Sequence, residues 1–172
     1  MGISIAERGA RLFHPDGVIW QSAVLAEGHR LVQTSLDGSD TLRVVETLRR
    51  PAAVASSVRD SIIDAIQSRI TEFGGDMGDQ SWDKIPHRYP YVERIVAATN
   101  GDLWVETGSA TGSLWDVFSP EGTHRRTVET DIPIAAFIPP VIDGDLFYAV
   151  VRDEYDVPYI VRARLQERTG GS

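Results

Sequence analysis

The sequence contains no cysteine. Disulfides, thiolate catalysis and cysteine-ligated zinc or iron–sulfur centres are therefore excluded. Long apolar runs are missing as well. The most apolar stretch, "IPIAAFIPPVI" at 132–142, is too short to span a bilayer and holds three prolines. The N-terminal "MGISIAERGARLF" places Glu7, Arg8 and Arg11 where a secretory signal needs a continuous apolar stretch, so no signal peptide is expected in this chain. A cytoplasmic location follows if Met1 is the start, and a periplasmic or secreted one if the chain is truncated there. Positive charge is scarce: 17 Lys and Arg face 25 Asp and Glu, a formal net charge of -8. A nucleic-acid backbone or an anionic membrane surface would be repelled, so neither is expected as a partner. Signatures of catalysis are absent too, with no Gly-x-Ser-x-Gly elbow, Walker lysine pattern or Rossmann glycine spacing.

What is present is an ordinary globular composition, 42% hydrophobic and 24% charged over 172 residues, enough for one well-buried domain. It is also repetitive. Asp16-Gly17 and Asp37-Gly38 are 21 residues apart, as are Asn100-Gly101 and Glu121-Gly122. Trp20 and Trp104 each follow their glycine by three residues, and both copies finish "VET", at 45–47 and 128–130. The endings are slipped by one residue relative to the second glycine. A fainter third copy starts at Asp143-Gly144 and carries Leu146-Phe147 where the others carry Ile19-Trp20 and Leu103-Trp104.

Asp-Gly and Asn-Gly supply the positive φ of tight hairpin turns. The runs "VIW", "LWV" and "LFYAV" after them are apolar on successive residues, the mark of strands covered on both faces. "RLVQTSL", "SLWDVFS" and "YIVRARL" alternate more, and "TLRVVET" and "HRRTVET" suit outer strands. Gly101 to Gly144 spans 43 residues, within the period of four-stranded propeller blades. The expected fold is mostly β: about three four-stranded antiparallel blades in a partial ring, with one inserted amphipathic helix. Blades are expected at 1–48 and 90–130, with a terminal blade at 131–166 lacking its outer strand and a flexible tail at 167–172.

The insertion, 49–89, breaks the strand pattern. Val54, Val58, Ile62, Ile66 and Ile70 recur every four residues, with Phe73 after them, and predict one stripe of a helix packed on its own protein's sheet. Ser57 and Asp60 fit a capping box, and Gly74-Gly75 a stop. The following Asp76, Asp79 and Asp83 lack the spacing and closing glutamate of a calcium loop and read as a linker. "DEYDVPY" at 153–159 reads as a solvated hairpin turn. The four histidines, His14, His29, His87 and His124, each sit by a turn or polar strand and are expected at the surface.

"PYVERIVAATNGDLWVETG" followed by "SLWDVFSPEGT" resembles six-bladed β-propellers of the NHL and TolB-like kind. The final "GDLFYAVVRDEYDVPYIVRARL" is similar to the last blade of bacterial members of that group. The resemblance covers roughly 1–48 and 90–166, and its motifs speak to fold rather than activity. Six blades need about 240 to 270 residues at this period. It therefore implies the C-terminal three blades of a ring completed by the rest of a longer chain or by a second copy in a homodimer. The function expected is a non-catalytic binding or scaffolding module for a protein or small-molecule ligand, with no cofactor. The alternative is a lactonase-like hydrolase or lyase at a central channel, since some related propellers hold an axial calcium by Glu, Asn and Asp oxygens. Glu93, Asn100, Glu106 and Asp143 are the residues here that would supply such oxygens, although Asn100 and Asp143 already have a turn role.

Overall fold

The computed structural model of the chain describes residues 10–14, 16–25, 28–47, 52–75, 82, 85–108, 112–135 and 137–166. The tail at 167–172 and Asp76, Asp79 and Asp83 lie outside the described residues. The protein is mostly β. Sheet 1 comprises β1 (Arg11–His14), β2 (Val18–Leu25), β3 (Gly28–Ser35) and β4 (Thr41–Thr47). Sheet 2 comprises β5 (Arg94–Ala97), β6 (Leu103–Thr107), β7 (Ser113–Phe118) and β8 (His124–Thr130). Sheet 3 has β9 (Val141–Asp143), β10 (Leu146–Arg152) and β11 (Pro158–Arg164). In each sheet every strand lies antiparallel to the next in sequence, the pairing that short connections permit.

Sheets 1 and 2 repeat one another in detail. Gly17, at φ 78, donates to His14 O, and Gly101, at φ 84, donates to Ala98 O, closing matched loops between the first two strands. Trp20 then stands between Leu12 and Gln33, and Trp104 between Val96 and Val117. A bulge follows at the same place in both, between Gln33 and Thr34 and between Val117 and Phe118. The slip before "VET" arises in the next turn. Ser35 N donates to Asp40 O, whereas Ser119 N donates to Thr123 O, so the first turn is one residue longer. In that longer turn the Ser35 hydroxyl, then Ser39 N–H, donate to Asp37 and hold its carboxyl down to about 2.

The third sheet departs from the sequence alignment. Asp143 pairs with Leu146, leaving only Gly144 and Asp145 in the turn, one residue fewer than in the other two sheets. One residue lost before a strand turns every side chain to the opposite face. Phe147 therefore occupies the place of Leu103, not of Trp104, and Tyr148 takes the tryptophan position, paired with Val141 as Trp104 is with Val96.

The sheets stack face to face in chain order. Leu12, Trp20, Leu31 and Val45 of sheet 1 pack on Ile95, Leu103, Val105 and Phe118 of sheet 2. Val96, Trp104, Trp115 and Val117 on the other side of sheet 2 pack on Ile142, Phe147 and Ala149 of sheet 3. All five residues of β6 are buried, as the unbroken "LWV" run predicts for a strand covered on both faces.

The helix, α1 (Ser56–Glu72), is realised, but its start and its docking differ from expectation. Ala55 is the N-cap, with no side-chain cap bond, so the Ser57–Asp60 capping box does not form. Gly74 and Gly75 do end it, their N–H groups donating to Thr71 O and Ile70 O. Val58 and Ile62 pack on Val54, Ile85 and Tyr89, none of which lies in a strand, rather than on a sheet. Farther along the stripe Ile66 is 37% and Phe73 79% exposed. The two ends of the insertion are held together: Val54 N donates to His87 O and Tyr89 N to Ala52 O. No helix among the described residues is long and apolar enough to cross a membrane.

Candidate functional site

Antiparallel order gives the molecule two ends. Tight turns at Gly17, Gly101 and Gly144 crowd one, and the insertion opens from the other. At this second end, the loop end, β4 finishes, β5 and β9 begin, and β6 is connected to β7. Counting outward from the Asn100-Gly101 turn, Arg94 of β5 faces Glu106 of β6. Arg94 Nε lies 3.3 Å from Glu106 Oε2, and the Ser113 hydroxyl donates to Glu106 Oε1 at 2.5 Å. Glu106 is 4% exposed, so this carboxylate is held by a guanidinium and a hydroxyl where water scarcely reaches. Arg94 also donates to Ile138 O at 3.4 Å, tying the cluster to the segment before β9.

Glu93 precedes this pair, its N–H donating to Glu106 O at 2.8 Å. Its accessible surface is that of an exposed residue, yet enough protein surrounds the carboxyl to raise its pKa. Burial is the largest cause, repulsion from Glu106 the second, and attraction to Arg94 opposes both. An exposed carboxyl next to the Arg94–Glu106 pair thus holds its proton more tightly than usual. Such a group can exchange a proton or receive a cationic donor.

Asn100 and Asp143 lie at the opposite, tight-turn end. Asn100 Nδ2 donates to Asp102 Oδ2 at 2.9 Å and its Oδ1 accepts from Asp102 N, the turn duty read from the sequence. Asp143 accepts from the Thr99 hydroxyl at 2.6 Å, latching the sheet 2 turn to sheet 3. Of the four residues considered as calcium donors, Glu93 and Glu106 thus lie at the loop end and Asn100 and Asp143 at the tight-turn end, and among the described residues no group of three or more His, Asp or Glu is placed to hold a metal ion.

Sequence reading missed Arg94 and Ser113. No motif marks them, although counting outward from the hairpin turn would have set Arg94 against Glu106. Glu106 itself is not repeated: Ser22 stands at its position in sheet 1, bonded to Ala10 N, and Val150 in sheet 3. His29, expected at the surface, is 1% exposed. It shares a strand face with Leu31, and Tyr91 covers it, ring centroids 6.0 Å apart. His14 lies beside Asp16, His87 is exposed, and His124 contacts Asp116.

No protein-family model, no curated protein and no solved structure matches this chain.

Proposed function

We propose that the three sheets are consecutive blades of a partial β-propeller, and that the protein is a non-catalytic binding or scaffolding module working through its loop end. The observation that carries the reading is the matched placement of Trp20 and Trp104. Both occupy the second strand of a four-stranded meander, before an equivalent bulge, on the face turned to the following sheet. A stack of like units leaves recognition to the loops, because the strand faces are consumed by packing. Here the loops at one end carry both the insertion and the Glu93–Arg94–Glu106–Ser113 cluster. A binding role is favoured over a lactonase-like hydrolase or lyase because the oxygen donors that a calcium channel would need are divided between the two ends.

The reading is tested by a thermal-shift screen of small amines, guanidinium compounds, carboxylates and divalent metal chlorides. Shifts abolished by Glu93→Gln but kept by Asp143→Asn place binding at the loop end. Calcium found by elemental analysis, with stability lost on chelation, would replace this reading with the metal-dependent alternative.

A further inference from the structure

We propose that the outer faces of sheets 1 and 3 are the two halves of one interface, and that a second copy of this chain fills both. Each internal interface joins the tryptophan-bearing front of one sheet to the back of the next. The front of sheet 3 presents the same positions, with Tyr148 and Val150 half-buried, Val141 and Ile160 exposed, and Arg162 where Gln33 and Val117 stand in the other sheets. Tyr148 stands where Trp20 and Trp104 stand, Val141 where Leu12 and Val96 do, and Ile160 where Leu31 and Trp115 do. Leu31 and Trp115 are 0% exposed, whereas Ile160 is 75% and Val141 58% exposed.

The back of sheet 1 supplies the other half. Phe13 pairs with Ile19 as Ala97 pairs with Leu103 and Ile142 with Phe147. Phe13 is 62% exposed, and Val44 on the same face 46%. The chain thus exposes a front and a back of the kind it buries against each other twice inside itself.

A front-to-back contact is heterologous, and two copies close it on itself when the front of each meets the back of the other. Six sheets would then stand in one ring. This inference rests on the blade reading above, while the binding role of the loop end does not depend on it.

Sedimentation velocity of the 172-residue chain tests it, with near-UV circular dichroism to report packing. The expected mass is twice 19.0 kDa. Ile160→Asp on the front and Phe13→Asp on the back should each halve it with the dichroism kept. An equimolar mixture of the two should recover the dimer through its one unmodified interface. Phe73→Asp, at the exposed end of α1 and outside all three sheets, should leave the wild-type mass. A wild-type monomer with native dichroism overturns the dimer. A ladder of larger species overturns closure, and a mixture that stays monomeric overturns front-to-back pairing. A monomer without near-UV signal overturns the blade reading with it.

Discussion

Phe147 packs against Trp104 instead of repeating it, ring centroids 6.5 Å apart, with Trp115 edge-on to both. Aligned on its glycine, Phe147 reads as the third tryptophan-like residue; in space it fills the place of a leucine. Phe147→Leu should therefore cost under about 1.5 kcal/mol, and Phe147→Ala about 3–5 kcal/mol. Phe147→Trp should destabilise by about 1–3 kcal/mol, because two indoles already fill the space it would enter. Urea denaturation of the three variants decides the matter. A tolerated tryptophan would restore the alignment and remove the turn-length argument.

Gly108 fastens the insertion to sheet 2. A Cβ there would lie 2.5 Å from Tyr89 Cβ and 3.0 Å from Pro90 O, in backbone that has no flexible tip to move aside. Gly108→Ala should destabilise by about 1–3 kcal/mol, the cost of overpacking. Because Tyr89 is also the floor under Val58 and Ile62, α1 should become the first site of proteolytic cutting. Unchanged stability together with an unchanged cleavage pattern would mean that the insertion is not anchored at this point.

The raised carboxyl of Glu93 predicts a pH dependence of definite sign. A carboxyl whose pKa is higher folded than unfolded favours the folded state when protonated. That contribution is complete below the ordinary glutamate range and is lost as pH rises through the raised value. Wild-type stability should fall across that window, and Glu93→Gln should remove the fall. The variant should then be the more stable protein at neutral pH. Denaturation midpoints measured at a series of pH values give the comparison; coincident curves would show that Arg94 cancels the burial and the repulsion from Glu106.

Much of the fold was legible in the sequence, and the reason is geometric. Glycine after Asp or Asn marks a turn whatever the context, and the continuous apolar run of "LWV" marks a strand with neighbours on both faces. Side-chain faces were less legible, because one residue more or less in a turn leaves the spelling similar while inverting a strand, as at Phe147. The capping box failed for a related reason: Ser57 and Asp60 have the right spacing, but α1 begins at Ser56, so both lie inside it. At the loop end Glu93 and Glu106 were picked for their oxygens alone. Their real relationship is through Arg94, and it needed the hairpin register before it could be read.

The Asp116 and Thr127 pair carries the repeat into energetics. Asp116, 2% exposed on the face toward sheet 1, accepts from the Thr127 hydroxyl at 2.7 Å and contacts His124 Nε2 at 3.3 Å. In sheet 1 the same cross-strand position holds Val32 and Val44. The backbone thus accommodates a valine pair where sheet 2 uses a carboxylate and a hydroxyl. Thr127→Val keeps the shape but removes the shorter bond from a buried charge, and should cost about 1–3 kcal/mol. Asp116→Val together with Thr127→Val removes the charge as well, and replacing both partners with apolar groups should recover most of that loss. A double-mutant cycle by urea denaturation then yields a coupling energy of about 0.5–3 kcal/mol. Additive losses would mean that Asp116 is held by its other neighbours, and that the two sheets share a backbone but not an interchangeable interior.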